Sequence, residues 1–465
     1  MASSHELEPF IEEQHTLPYE GKRPVKKRST TVVIDEDHPF DLDGYISQYR
    51  VGRNAIRRLR YIAEECPQLA IPALTRALYL LRQTYDVNQY QLVYQAYASY
   101  NYPNEGIPYD QAWVEDTQAR NTSDRERLDT ELKTYTSNMI KESIRMAHRD
   151  LGEYYWSVGD PPQAIKHFNK SREYSTSSQH VLEYALSVLQ LLIETCDYAH
   201  ISTYVFKAEG ALSPPETKDK KGAAPPAGSA AAAAAASAAL NPDREKAIAK
   251  MEFASGISHL SAGSYEKAAF AFSRLSRSLD DWLGKVIAPG EVAIFGVLCA
   301  LASMSRNAIK VNYCENENFG IFYEQEPYIG EMLDAFMANK FKTVLELLER
   351  YSSKHSLDIH LGRHVSRLST EIRKRSIVLY FQPFASARFE KMSAAFGISP
   401  SEMESMAVQL IQENRIDARV DSQNKAGAHT WKKDTDPRMV LYKRALKTAE
   451  ETQRSTDKLL WRMKL

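Results

Sequence analysis

Histidines, cysteines and paired carboxylates are where catalysis or metal binding would first show. The chain has 12 histidines, and its closest approach to a ligand set is His355, His360 and His364. Imidazoles four residues apart, as at His360 and His364, share one face of a helix, a spacing that zinc sites on helices use. The pattern lacks a third well-spaced ligand or a nearby carboxylate pair. We therefore read these as solvent-facing histidines near a domain joint. No two histidines stand as H-x-H, and after His5-Glu6 a proline, Pro9, stands where H-E-x-x-H needs its second histidine. Walker A, G-x-G-x-x-G and G-x-S-x-G loops are absent. The four cysteines, Cys66, Cys196, Cys299 and Cys314, form no C-x-x-C pair; three sit in apolar or helical surroundings, which points to buried free thiols, and the lack of a disulfide framework points to a reducing compartment. No catalytic residue, cofactor or metal is expected. The function must lie in surfaces.

Composition says what must carry those surfaces. The 465 residues are 43% hydrophobic and 26% charged, enough apolar material for a real core. A net charge of -1 gives no global pull toward nucleic acid or anionic membrane. With only 19 glycines and 20 prolines, long helices are favoured over many short strands. The most apolar run, Val292 to Met304, is too short for a bilayer, which needs about 20 residues. The polar, acidic start from Met1 to Glu20 does not read as a signal peptide, so the expected location is cytosol or nucleus.

Residues 1–38 lack helical periodicity and read as a flexible tail. Within it Lys22, Arg23, Lys26, Lys27 and Arg28 are either a nuclear import signal or a solvated charge run. From Phe40 onward apolar residues recur at helical spacing: Tyr45, Ile46 and Tyr49, then Ile56, Leu59, Ile62 and Ala63. Further stripes run through Leu74, Ala77 and Leu81, and through Tyr90, Val93 and Tyr97. A charged helix with a thin apolar face is expected from Tyr109 to Ala147.

A repeat follows. Leu151-Gly152 with Tyr155, then Gly159, Ala164 and Phe168, fits the tetratricopeptide pattern. Small residues let two antiparallel helices approach, and aromatics fill the gap. Gly256, Gly263, Ala268 and Phe272 repeat it, and Ala335, Asn339, Val344 and Leu348 give a degenerate third copy. An insert at 213–242, rich in proline and then alanine, reads as a tolerated linker.

The pattern changes in the last third. Val365, Leu368, Ile372 and Leu379 mark one helix, Phe389, Met392 and Phe396 a second. Ser399, Pro400 and Glu402 open a third as a capping box, with Met403, Met406, Ala407, Leu410 and Ile411 on its inner face. Ile416, Ala418 and Val420 alternate with charged residues as a strand, and 428–432 can return as a second. Three helices and a hairpin make a winged helix. Its recognition helix exposes Glu402, Glu404 and Glu413 and carries no Lys or Arg from 399 to 414, which argues against DNA duplex binding. Arg415, Ile416, Arg419 and Val420, on the strand edge, are candidates for a protein contact instead. A final helix, from about Met439 to Met463, has a stripe through Leu441, Ala445, Ala449, Thr452, Thr456, Leu459 and Met463, and ends on Leu460 and Trp461. It is longer than one small domain can cover, so partner helices are expected on Leu441, Leu459, Leu460, Trp461 and Met463.

Helical repeats leading into a winged helix and a terminal helix resemble the PCI-domain scaffold subunits of the COP9 signalosome, a family related to a proteasome lid subunit. The wording is similar too, at Phe40–Tyr49, Arg58–Pro67, Ile140–Arg145, Asp150–Gly152, Val292–Ala302 and Leu410–Ser422. The resemblance covers about residues 39–465 and implies a mainly α fold, with a TPR-like solenoid followed by a PCI winged-helix (α+β) module and a long C-terminal helix. It implies a tail at 1–38, a repeat domain at 39–250 and a PCI domain at 251–435, helical over 251–363 and winged-helix over 364–435. A bundle helix would occupy 438–465. It further implies a non-catalytic scaffold in a complex that removes Nedd8 from cullins, with the metal-dependent isopeptidase on another subunit. Partners would be other PCI subunits, that isopeptidase and cullin-RING ligases, in nucleus and cytoplasm, with no membrane and no direct nucleic acid. A proteasome lid subunit and a winged-helix nucleic-acid binder are the alternatives.

Overall fold

The computed structural model describes residues 32, 34, 39–50, 52–100, 106–212, 242–279, 281–384, 386–416, 418–421, 429–432 and 437–463. The basic cluster at 22–28 and nearly all of the insert lie outside them. Within them the fold is mainly helical, as the apolar spacing predicts.

Carboxylate caps start the first helices. Asp41 accepts the Gly44 N–H at 2.9 Å to open α1 (Leu42–Ser47). α2 (Arg53–Glu65) stops before Pro67, and α3 (Ala70–Leu81) follows. Asp86 and Asp110 cap α4 (Val87–Ala98) and α5 (Gln111–Ser137). The single helix expected over 109–147 is instead two, because Met139 takes a left-handed conformation (φ 53°) between α5 and α6 (Lys141–Val158). No glycine or proline marks that break. α5 buries only Val114 and Thr117, as its thin apolar face predicts.

Helical hairpins then stack: α6 with α7 (Pro161–Glu173), α8 (Ser178–Thr195) with α9 (Ile201–Leu212), and α10 (Pro242–Ser261) with α11 (Tyr265–Ser273). Their repeat residues work as the pattern predicts. A Cβ on Gly152 would stand 2.7 Å from the Phe168 ring, and one on Gly256 2.7 Å from the Phe272 ring. Each hairpin closes on a left-handed residue, after which one N–H reaches five residues back. Asp160 N–H reaches the Tyr155 carbonyl at 2.9 Å and Ser264 N–H that of His259 at 2.9 Å.

α12 (Pro289–Ser303) is buried from Gly290 through Ala302, so the most apolar run of the chain is a central core helix. Short α13 (Arg306–Ile309) and α14 (Glu317–Tyr323) lead to the third copy, α15 (Pro327–Met337) and α16 (Phe341–Arg350). Lys340 N–H reaches the Ala335 carbonyl at 2.8 Å in the same closing turn. By that register Met332, not Ala335, stands where Gly152 and Gly256 stand. A long side chain replaces glycine where Leu348 replaces phenylalanine, so the volume is exchanged between the two helices. The α8–α9 pair closes likewise through Cys196 (φ 55°), with Asp197 N–H on the Leu192 carbonyl at 3.0 Å. The motif missed this copy because no glycine marks it.

α17 (Ser352–Ser356) and α18 (Val365–Phe381) lead into β1 (Ser386–Arg388), α19 (Phe389–Phe396), α20 (Pro400–Gln412), β2 (Ala418–Asp421) and β3 (His429–Lys432). The winged helix is present, with one strand more than the pattern gave. The antiparallel sheet has the order β1-β3-β2, so Ser386 and Arg419 both pair with Trp431 and β2 is an edge. α21 (Pro437–Met463) ends the described chain. One apolar core runs from Ala164 to Ala418. A second gathers Tyr45 to Val114 and closes on Ala288 and Leu357.

Candidate functional site

The two cores meet along α2, three of whose four arginines reach inward, Arg60 alone pairing with Glu64 on the surface. Arg53 donates to the Trp156 carbonyl and pairs with Asp86 at 2.9 Å. Asn54 donates to the Lys285 carbonyl at 2.7 Å, and Arg57 to that of Thr195 at 2.6 Å. Arg53 and Arg57 thus reach the C-terminal ends of α6 and α8, where free carbonyls and the helix dipole favour a cation. At the centre Arg58, 1% exposed, grips Glu291 with two bonds, Nε to Oε1 at 3.2 Å and Nη2 to Oε2 at 2.8 Å. The Tyr45 hydroxyl donates to the same Oε1 at 2.8 Å, and Arg58 lies 4.5 Å over the Tyr49 ring.

Glu291 sits in the first turn of α12 and accepts the Ala288 N–H at 3.3 Å. Burial pushes its carboxyl up, but the Arg58 guanidinium outweighs that and holds it below the usual range. Asp358 is buried beside it. Its Oδ1 accepts the N–H groups of His360 and Leu361, both at 2.8 Å, while Oδ2 has no hydrogen-bond partner. Burial and the Glu291 charge push the Asp358 carboxyl well up, toward the acid form, while Glu291 is held toward the ionised form. The joint is a charge-compensated clamp, closed to substrate.

The three histidines need correction. His355 and His360 are buried, not solvent-facing, and residues 358–364 form turns rather than the helix that would align His360 with His364. Each contacts a tyrosine hydroxyl: His355 with Tyr328 at 2.9 Å, His360 with Tyr198 at 2.7 Å, His364 with Tyr265 at 3.3 Å. Burial lowers both His355 and His360 to about 3, keeping them neutral. Among the described residues no group of three His, Cys, Asp or Glu could hold a metal.

The expected interface residues divide. Arg415 pairs with Glu371 at 2.7 Å and Glu413 at 3.1 Å. Ile416 is buried in the main core and Val420 packs against it, while Arg419 lies in edge strand β2. On α18 several basic residues are engaged within the chain: Arg373 pairs with Glu349, Lys374 with Glu413, and Arg367 lies over Tyr265. α21 is different. Every residue from Leu441 to Trp461 is exposed, including Leu459 and Leu460, and Trp461 is 75% exposed. Met463 closes that helix. The structure does not bring the strand residues and the α21 stripe into one site.

Arg53, Asn54, Arg57, Arg58, Glu291 and Asp358 were not singled out from the sequence. One signal was available: Glu291 is the lone carboxylate in the apolar stretch 289–303, and a buried carboxylate calls for a cation.

A family model described as "PCI domain" matches residues 348–426, and one described as "26S proteasome subunit RPN7" matches 110–312. The COP9 signalosome complex subunit 1b of Drosophila melanogaster is 31% identical, over 92% of this chain and 86% of its own length. The COP9 signalosome complex subunit 1 of Arabidopsis thaliana is 32% identical, over 93% and 91%. This chain belongs to the COP9 signalosome subunit 1 family. The 26S proteasome non-ATPase regulatory subunit 6 of Dictyostelium discoideum is a more distant relative, 18% identical over 75% of this chain and 83% of its own length.

In this member of the signalosome subunit 1 family the PCI match takes in α18, α19, α20 and β2. The proteasome-type match begins just before α5 and takes in the hairpins and α12. Among the described residues no helix is long and apolar enough to cross a membrane.

Proposed function

We propose that this chain is a non-catalytic scaffold of the COP9 signalosome, the complex that removes Nedd8 from cullins and so regulates cullin-RING ubiquitin ligases. Membership of the subunit 1 family supports it, and the observation that carries it is the exposure of α21 from Leu441 to Trp461. A 27-residue helix with an apolar stripe that no described residue of this chain covers is built for neighbouring helices. Leu441, Leu459, Leu460, Trp461 and Met463 would enter a helical bundle with other PCI subunits. The edge of β2, at Arg419 and Val420, would add to a neighbour's sheet, with Arg415 and Ile416 holding it in place. The repeat arm, 39–250, would reach other subunits or the cullin-ligase substrate, the PCI domain, 251–435, would join the ring, and 438–465 would dock the chain. The metal-dependent isopeptidase would be a partner subunit. The tail cations Lys22, Arg23, Lys26, Lys27 and Arg28 would serve import, giving a nuclear and cytoplasmic protein.

The match to the proteasome family over 110–312 favours a second reading, a lid subunit. Its relatives stand at 18% identity against 31–32%, which weighs against it. Affinity purification of the tagged chain decides between them. Other PCI subunits with a metal-dependent isopeptidase are expected, and recovery of lid subunits would replace the reading. Removal of 438–465 should abolish that recovery. Turnover of a Nedd8–cullin conjugate by the isolated chain would end the scaffold view.

A further inference from the structure

The apolar stripe is only one side of α21. At 3.6 residues per turn, Lys443, Arg444, Lys447, Arg454 and Lys458 fall about 200–300° round from Leu441, opposite the stripe. All five are exposed, and among the described residues none has an ion-pair partner. They run about 22 Å along the helix, at 1.5 Å per residue, interrupted only by Glu451. Trp461, the most exposed large apolar residue on α21, projects from the end of the same side. Across α21 seven Lys and Arg stand against three Asp and Glu, while the whole chain is at -1. The helix is a cationic element on an otherwise acidic protein.

We propose that this ridge is a second docking surface, and that it binds an acidic segment of a partner protein: carboxylates along the cations and an apolar side chain against Trp461. Charge complementarity names the occupant. When the stripe is covered by neighbouring helices, the ridge faces outward, so both faces can be engaged at once. A membrane surface fits less well. A helix lying in a bilayer interface must bury its apolar face in lipid, and here that stripe is the face given to neighbouring helices. Nucleic acid fits less well too. The winged-helix α20 exposes Glu402 and carries no Lys or Arg, so it adds no phosphate contact to the ridge.

The proposal extends the assembly reading but rests on the other side of the helix, so the two can fail separately. The test uses the full chain and fluorescence anisotropy. The probe is a labelled 17-residue peptide, five Glu-Glu-Gly repeats ending in Leu-Leu. Binding is expected at 50 mM NaCl and should weaken at least tenfold by 200 mM. Lys447→Glu, Arg454→Glu and Lys458→Glu together should weaken it at least tenfold, and the three Gln replacements, which keep the helix, should weaken it severalfold. Leu459→Ala with Leu460→Ala should leave it within twofold while impairing recovery of PCI subunits. Equal binding of a Lys-Lys-Gly peptide, or indifference to the charge-reversal set, would overturn the proposal. So would tighter binding of duplex DNA or of phosphatidylserine vesicles. Salt-reversible dimerisation through these cations would overturn it in favour of a second copy as the occupant.

Discussion

α2 and α21 are two amphipathic helices used in opposite ways. α2 buries its polar side: Asn54 and Arg58 are buried, and Arg53 and Arg57 reach inward to carbonyls. α21 leaves its apolar side outside: Leu441, Tyr442, Leu459, Leu460 and Trp461 are all exposed. Amphipathicity alone therefore does not say which helix belongs to the fold and which to a partner. What separates them is the supply of fixed partners. Arg58 meets Glu291, and the carbonyl ends of α6 and α8 meet two more arginines. Nothing described on this chain covers the α21 stripe.

The largest expected effect breaks the pair at the joint. Arg58→Ala leaves Glu291 buried without its cation and should cost about 3–5 kcal/mol. Urea unfolding of the full chain measures it. Deleting 438–465 should change the same midpoint by less than about 0.5 kcal/mol, since exposed positions contribute little. If the deletion also destabilises the chain by several kcal/mol, α21 is part of the fold and the contrast fails.

Acid comes next. His355 and His360 are lowered by burial to about 3, below their ordinary value of 6.5. A lowered histidine contributes stability that is present above the unfolded value and lost as pH falls toward the folded one. From pH 7 to pH 5 each should cost about 2 kcal/mol. His360→Gln should remove about half of that slope, read from urea midpoints at the two pH values. α21 has no histidine, so its deletion should leave the slope alone. An unchanged slope in His360→Gln would show that the joint does not keep this imidazole neutral.

The repeats give a smaller effect. Gly256→Ala would push a methyl to 2.7 Å from Phe272 and should cost about 1–3 kcal/mol in thermal or urea unfolding. Adding Phe272→Leu should recover part of it, since the third copy pairs Met332 with Leu348. No recovery would mean that the exchange of volume between the copies is not what lets these hairpins close.

These differences explain what was readable beforehand. The solenoid and the winged helix were legible because Gly152 with Phe168, Gly256 with Phe272, and Ser399 with Glu402 act within one hairpin or one helix turn. The α21 stripe was legible because it is a periodicity. The α5–α6 break was not, since Met139 carries no sign of its left-handed turn, nor was the Cys196 copy, where cysteine stands in the place of glycine. β1 is three residues long, too short to show a period. The joint was hidden for another reason. Arg58 and Glu291 are 233 residues apart, and each looks like an ordinary surface charge until the fold joins them. His360 was read as solvent-facing for a like reason, since its partner Tyr198 lies 162 residues away.

The last prediction concerns the finest point of the joint, Asp358. Its carboxyl is raised by burial and by Glu291, so it is held toward the acid form. A raised carboxyl contributes stability that is present below its unfolded value, near pH 4, and lost as pH rises toward the folded one. It thus opposes the histidines, which lose stability toward acid. Asparagine has the shape of the protonated acid. Asp358→Asn keeps an oxygen for the His360 and Leu361 N–H groups and sets an amide donor where Oδ2 now lacks a partner. It should leave stability within about 1 kcal/mol at pH 5. Relative to the parent, the variant should gain as pH rises from 5, as only the parent must retain a proton. A difference from the parent that stays flat as pH rises would mean that Asp358 is ionised, leaving two carboxylates against the single guanidinium of Arg58. The joint would then be a strained site rather than a clamp, and its contrast with α21 would no longer be one between satisfied and unsatisfied faces.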